Sequence, residues 1–383
     1  MAVGVKHRAY RYRCYPTPVQ ASNLARTFGC VRLVYNKALD ARTKAWYRRK
    51  ERVGYVETSA LLTKWKRRRD LDFLNEVSSV PLQQALRHLQ KGFAGFFEGR
   101  TGYPCFKRKR VLAGSAEYTK SAFTYRGGEL RLAKQDTPLR IKWSRPLPHG
   151  ADPSTVTVAR DSAGRWFVSL LIAEDVPTLP RRSEAVGVDA GITSLFTLST
   201  GEHIVNPRHE RRDRARIKQR QQDLSRKQKG SANYRKAQIR LARAHARVAD
   251  RRIDVLHKLT TRLVRENQVI AVEDLSVRGM LSNHALARAI ADASWATFRR
   301  MIEYKADWYG RDLIAVDRFF PSTKTCSACG TVKRAMPLTA RTFTCPSEDC
   351  GHTENRDVNA AKNILAAGLA VAACGDGVRP KRS

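Results

Sequence analysis

The sequence predicts an α+β protein of several domains, and three observations carry that expectation. The chain has 383 residues, about two to three times an ordinary domain, so more than one unit can bury its own core. Its texture changes twice, from helical spacing to short alternating apolar runs and then to a mixture of both. Four of its eight cysteines fall between positions 326 and 350, the mark of a small segment folded around a metal.

Taken in order, Tyr10 to Tyr15 alternates basic and aromatic or sulfur side chains and meets Pro16 and Pro18, as a strand entering a turn does. From Val19 to Arg100, Leu24, Leu33, Val34, Leu61, Leu62, Leu82, Leu86, Leu89 and Phe93 recur at helical spacing between basic runs, which reads as a basic helical bundle. Past Gly102 and Pro104 come short apolar pieces, Leu130 to Leu132, Leu139 to Trp143, Thr155 to Ala159 and Trp166 to Ile172. The last two are joined by the turn Asp161-Ser-Ala-Gly164, so antiparallel β structure is expected.

A proline-containing linker, Val176 to Arg182, opens the second half. Ala185 to Val188 reads as a buried strand, with Ser194 to Leu198 as its returning partner beyond Gly191. A long basic pattern with a break at Gly230 runs from Pro207 to about Val264, followed by a strand at Val269 to Val272. A helix is expected from Ala293 to Tyr309, capped by Asp292 or Ser294, then a strand at Leu313 to Val316. After the cysteines, Asn355 to Ala367 reads as a helix with Asn355 as its cap and Val358, Ala361, Ile364 and Leu365 facing inward. The Gly, Pro and basic tail beyond Cys374 is expected to be loose.

Lys and Arg number 72 against 35 Asp and Glu, a net of +37, while 42% of residues are apolar, so the chain is globular and its partner is a polyanion. Residues 208 to 252 alone hold 17 basic against 4 acidic side chains, a third of the whole excess. A membrane span is not expected, because the longest apolar run, Ile364 to Ala373, is well short of about 18 residues. Residues 1 to 15 are basic without a continuous apolar segment, so no signal peptide is read and a reducing compartment, cytoplasm or nucleoid, is expected.

Cys326-x2-Cys329 and Cys345-x4-Cys350, separated by 15 residues, offer two thiolate pairs to one tetrahedral Zn²⁺. Gly330 and Gly351 follow the pairs, as tight knuckles require. The second gap is wider than usual, which leaves His352 open as a substitute ligand. Four protein ligands leave no open coordination position, so the ion would be structural. Cys14, Cys30, Cys105 and Cys374 are scattered and read as ordinary thiols.

Asp189 and Glu273 stand at the ends of predicted strands, and Asp357 opens a predicted helix. Three acids at the ends of core elements are the minimum that could hold two Mg²⁺ ions for phosphodiester cleavage. Each also has a plain alternative: a turn residue at 189, a strand-end charge at 273 or at neighbouring Asp274, and a helix N-terminal charge at 357.

The motifs Gly187-Val-Asp189-Ala-Gly191-Ile, Val272-Glu273-Asp274-Leu275, Ser322 with Cys326-Ser-Ala-Cys329-Gly330, and Asn355-Arg-Asp357-Val-Asn359-Ala-Ala-Lys-Asn363-Ile occur in that order. Together they resemble the TnpB family, transposon-encoded RNA-guided nucleases related to the type V CRISPR effectors. Tyr15 to Gln20, Val34-Tyr35-Asn36, Leu82-Gln83, Phe106-Lys107 and Asp254 to Leu259 are similar to the family as well. Two positions depart from it: Asn355 stands where members often have Asp, and the second cysteine pair is widened.

That resemblance implies a RuvC-type, RNase H-like nuclease domain at 183–320 and 354–370, with Asp189, Glu273 and Asp357 as its Mg²⁺-binding triad. It implies a zinc ribbon at 321–353, a β-barrel wedge domain at 1–15 and 105–182, a helical recognition domain at 16–104, and a flexible tail at 371–383. The implied partners are a guide RNA from the transposon end and a double-stranded DNA target, cut next to a short flanking motif. Gln83 and the basic-helix residues Arg211, Arg212, Arg214 and Arg216 are the candidate nucleic-acid contacts. The competing functions are a catalytically silent RNA-guided DNA-binding regulator, a strand-transferring transposase and a bare zinc-ribbon adaptor, the last of which leaves most of the chain unexplained.

Overall fold

The computed structural model describes residues 4–109, 113–337 and 339–373, so Cys374 and the tail after it lie outside the described residues. The chain divides into two units, one holding Val5–Asp175 with Gln238–Arg243, the other Val176–Ala237 and the described residues from Ala244 on.

In the first unit, strand β1 (Gly4–Cys14) leads into helix α1 (Pro18–Arg49), whose start is set by Thr17. The Thr17 hydroxyl accepts from the amide of Gln20, and the Gln20 side chain accepts from the amide of Thr17, a reciprocal cap ahead of a proline. Helices α2 (Tyr55–Lys66) and α3 (Ser79–Phe97) pack on α1 around Val34, Leu39, Leu62, Leu82, Leu86 and Leu89. Strands β2 (Gly114–Thr119), β3 (Phe123–Arg126), β4 (Glu129–Leu132), β5 (Ile141–Lys142), β6 (Thr155–Arg160) and β7 (Trp166–Val176) follow. Five of these strands form a sheet in the order β2-β6-β7-β1-β5, and β3 pairs with β4. Alternate residues of β7 are buried, with Val168, Leu170 and Ile172 meeting Tyr10 and Tyr12 of β1 in the core. Strands β2 and β3 escape the sequence reading because Gly-Ser-Ala-Glu-Tyr-Thr carries too few apolar residues to show a period and Phe-Thr-Tyr-Arg, though it alternates, is only four residues long.

The second unit is built on strands β8 (Ala185–Ala190), β9 (Ser194–Leu198) and β10 (His203–Val205), then helices α4 (His209–Ser225) and α5 (Ala232–Glu266), then β11 (Val269–Glu273). Helices α6 (Val277–Met280), α7 (Ala287–Ala293) and α8 (Trp295–Tyr309) lead to β12 (Asp312–Val316). A small hairpin, β13 (Thr342–Thr344) and β14 (Thr353–Asn355), precedes the last described helix, α9 (Arg356–Ala373). The sheet order is β10-β9-β8-β11-β12. β9 pairs antiparallel with both β10 and β8, whereas β8, β11 and β12 are mutually parallel, their crossovers supplied by α4–α5 and α6–α8.

Both faces of this sheet are covered, which explains why β8 and β11 read as nearly continuous apolar runs. Val186, Val188, Ile270 and Val272 pack on one face against Leu256, Leu259, Leu263, Trp295, Phe298 and Ile302. On the other face lies α9, with Ile364 against Ala271 and Val316.

One helix start differs from expectation. Ala293 ends α7, and Ser294 adopts a left-handed backbone, φ 58°, that breaks the chain before α8. Ser294 stands at the N-cap of α8, its carbonyl accepting from the amide of Phe298 at 3.1 Å, but neither it nor Asp292 caps the helix through its side chain. The Asp292 carboxylate instead accepts from the amide of Glu210, 3.0 Å, and pairs with Arg252, 2.6 Å, so it closes the amino end of α4. A residue capping a helix far away in sequence leaves no local signal.

Candidate active site and metal centre

Parallel pairing of β8 with β11 sets Val188 opposite Val272, so the next residues, Asp189 and Glu273, leave the sheet side by side at the carboxyl ends of adjacent strands. Asp189 lies two residues beyond Gly187 and therefore on the same face, the one covered by α9. A Cβ on Gly187 would clash with the carbonyl oxygen of Ala361 and lie 2.8 Å from the amide of Leu365, so only glycine lets the helix come this close. One helical turn before Ala361 is Asp357. A turn of helix and two residues of strand each advance about 6 Å, so α9, running back against the strand, brings Asp357 over Asp189.

Electrostatics record this convergence. Asp189 is buried, and its carboxyl is pushed up to about 8, first by loss of solvent, then by the charges of Glu273 and Asp357, with Arg356 offsetting part of the effect. Glu273 accepts a hydrogen bond from the Ser322 hydroxyl at 2.7 Å. Asn355 caps α9, its side-chain oxygen accepting from the amides of Asp357 and Val358, as its sequence position predicts. The residue that departs from the family pattern thus serves the helix start directly. Asp274 is exposed and ion-paired to Arg318, outside the set of charges that act on Asp189.

The four cysteines 326, 329, 345 and 350 come together, their Sγ atoms all within 4.8 Å of one another. Cys326 and Cys350 are 3.8 Å apart and Cys329 and Cys345 3.5 Å, against an edge of about 3.8 Å for a tetrahedron with Zn–S bonds of about 2.3 Å. Gly330 and Gly351 both take positive φ, 77° and 57°, which turns the chain back at each knuckle. The widened second gap closes without His352, whose Nε2 lies 3.2 Å from the Ser327 hydroxyl and 3.5 Å from Glu354. A donor set of four thiols, preformed at these distances, fits a structural zinc ion. Cys14 and Cys30 are buried thiols and Cys105 an exposed one.

The candidate nucleic-acid residues belong to separate units. Gln83 is exposed on α3, and Arg211, Arg212, Arg214 and Arg216 are exposed on α4, where Arg214 pairs with Glu210 at 2.9 Å. Sequence reasoning missed the Ser322–Glu273 and Arg318–Asp274 contacts, because both partners lie more than forty residues apart and no spacing rule links them. Among the described residues no helix is long and apolar enough to cross a membrane.

The fold class follows from a comparison with solved structures: a Cas12f1 in its complex with sgRNA and target DNA matches at a TM-score of 0.59 and 12% identity, covering 94% of this chain and 99% of that one. Three family models match, described as "Probable transposase" over residues 167–284, "Cas12f1-like, TNB domain" over 295–364 and "Helix-turn-helix domain" over 1–51. The first span contains Asp189 and Glu273, the second contains the four cysteines and Asp357. The third falls on β1 and the single long helix α1.

A protein of Streptomyces pristinaespiralis named "Putative RNA-guided DNA endonuclease" is 62% identical over 375 residues, 98% of this chain and 92% of that protein. InsQ of Escherichia coli K12, of the same description, is 31% identical over 397 residues, covering 98% and 96%. The chain belongs to the TnpB family.

Proposed function

We propose that this protein is an RNA-guided endonuclease that cleaves double-stranded DNA next to a short flanking motif, encoded by a transposable element. The observation that carries the reading is the meeting of Asp189, Glu273 and Asp357, from two strands and a helix, with Arg356 offsetting part of their charge at Asp189. A carboxyl pushed up to about 8, first by burial and then by two neighbouring carboxylates, is an arrangement that a divalent cation relieves. In this reading the three acids hold two Mg²⁺ ions, which when bound supply an activated water and neutralise charge at the leaving oxygen of a phosphodiester.

The chain's own residues supply position. Asp189 is held by the middle strand of the sheet, Ser322 fixes one oxygen of Glu273, and capping of α9 by Asn355 sets Asp357. The parallel strands, the antiparallel β8–β10 meander and α9 support a RuvC-type, RNase H-like domain at 183–320 and 354–370, interrupted by a zinc ribbon at 321–353. The sheet and helices of the first unit support a wedge domain at 1–15 and 105–182 around a recognition domain at 16–104. The excess of 37 positive charges supports nucleic-acid partners, a guide RNA from the transposon end and the DNA it pairs with. The names of the relatives support the same activity.

Sequencing the RNA that copurifies with the protein, then offering a DNA duplex matching its variable end with Mg²⁺, tests the proposal. Cleavage confined to the matching duplex and lost in Asp189→Ala is the expected result. Binding of the matching duplex without cleavage would leave the regulator reading, and joined rather than free strand ends would leave the transposase reading.

A further inference from the structure

The segment from Ser322 to Ser327 joins the acidic cluster to the cysteine cluster, and side chains of β11 and α9 bond to it along its length. At one end the buried Ser322 hydroxyl donates to Oε1 of Glu273 at 2.7 Å. At the other end lies Cys326, whose Sγ is 3.8 Å from that of Cys350. Between them two asparagines of α9, one turn apart, fasten the segment down. The Asn363 side-chain amide donates to the carbonyl oxygens of Ser322, 2.8 Å, and Thr325, 2.5 Å. Asn359, with no exposed surface, donates to the Thr325 carbonyl at 2.7 Å and accepts from the amide of Ser327 at 2.9 Å. Asp357, the third acid, opens the same helix.

A glutamate has three side-chain torsions, and left alone Glu273 would sample many carboxylate orientations. A buried donor on one oxygen selects among them and leaves Oε2 to face a ligand, the usual role of a hydrogen-bonding partner behind a metal-binding carboxylate. The donor is only as well placed as its backbone. That backbone is a loop, held by Asn359 and Asn363 on one side and by closure of the Cys326 knuckle on the other.

We propose that Ser322 is a positioning residue for Glu273, and that Asn359 and Asn363 tie it to the cysteine cluster so that zinc at the cysteines sets the affinity of the acidic site for divalent cations. The proposal rests on the reading of Glu273 as a cation ligand. It assigns to two family-motif asparagines a task that simple helix packing does not require, since both could be replaced by apolar residues if they only filled space.

Mn²⁺ titration of the full-length, zinc-loaded protein, followed by electron paramagnetic resonance, tests the assignment. Ser322→Ala is expected to weaken the tight Mn²⁺ site about ten-fold at unchanged zinc content and Tm, with Ser322→Thr restoring it. Asn363→Ala and zinc-depleted wild-type protein are expected to weaken the same site. Ser322→Cys, nearly isosteric and a poor donor, replaces Ser322→Ala if the latter fails to fold. Wild-type Mn²⁺ affinity in Ser322→Ala, beside its loss in Glu273→Gln, overturns the positioning role alone. Wild-type affinity after zinc removal overturns the coupling. Wild-type affinity in Glu273→Gln overturns the reading of Glu273 as a ligand, and the proposal with it.

Discussion

Gly187 of β8 lies directly beneath the carbonyl of Ala361 on α9, a close approach that helps set the depth at which α9 meets the sheet. Gly368 repeats it farther along α9, where an added Cβ would lie 2.7 Å from the Cβ of Ala271. Because Asp189 follows Gly187 by two residues and Asp357 precedes Ala361 by one turn, the spacing of the two acids depends on this depth. Gly187→Ala is expected to push α9 away, costing about 2 kcal/mol or more of stability, with cleavage lost beyond what the lowered Tm explains. Thermal unfolding measured beside cleavage well below Tm checks it.

The two neighbouring acids at the end of β11 are expected to separate cleanly. Glu273→Ala abolishes metal-dependent cleavage, by at least about a thousand-fold, while RNA and DNA binding persist, as do those of Asp189→Ala and Asp357→Ala. Asp274→Ala breaks only the exposed pair with Arg318 and leaves cleavage near the wild-type rate. Abolition by Asp274→Ala with activity retained in Glu273→Ala would reverse the assignment.

Purified protein is expected to carry about one zinc per chain, read by mass spectrometry of preparations made without chelator. Cys326→Ser lowers that content and opens 321–353 to proteolysis, since a segment of this size has little core beyond Phe343 and the cysteines themselves. His352→Ala leaves the zinc content unchanged, because its ring is engaged with Ser327 and Glu354.

Replacing Arg211, Arg212, Arg214 and Arg216 together by Ala is expected to flatten the salt dependence of RNA affinity by up to about 0.7 to 0.9 per lost phosphate contact, equally for different guide sequences. Arg214, already paired with Glu210, contributes less than the other three. An unchanged slope in a filter-binding titration would mean that these side chains meet only solvent.

Lys305 is expected to make the stability of the second unit depend on pH. Its ammonium is buried on α8, donating to the His257 carbonyl and the hydroxyls of Thr260 and Thr261 at 2.7 to 2.8 Å, and burial pulls it down to about 8. In the unfolded chain it titrates near its ordinary value, so between pH 8 and about 10.4 the unfolded state binds the extra proton. Stability therefore gains from this group as pH rises through that window, and the gain is absent below it. Wild-type Tm measured from pH 7 to 10 is expected to fare better at the high end than that of Lys305→Met. Parallel curves would show that the shift is not there.

The sequence by itself determined the secondary elements that carry a strong period: the leucines of the first-unit helices, the hairpin around Asp161 to Gly164, the strands ending at Asp189 and Glu273, and the cap at Asn355. It also determined the cysteine cluster, because knuckle spacing and its glycines are local. The motif resemblance names Glu273, but only the tertiary structure placed it rather than Asp274 among the charges acting on Asp189, kept His352 off the cysteine cluster, and broke at Ser294 what reads as one helix start. Each of those outcomes depends on a partner far away in sequence. Parallel pairing of β8 with β11 puts Val188 beside Val272, and packing of α9 on Gly187 sets the third acid, whereas local spacing encodes only which residues end an element, not which ends meet.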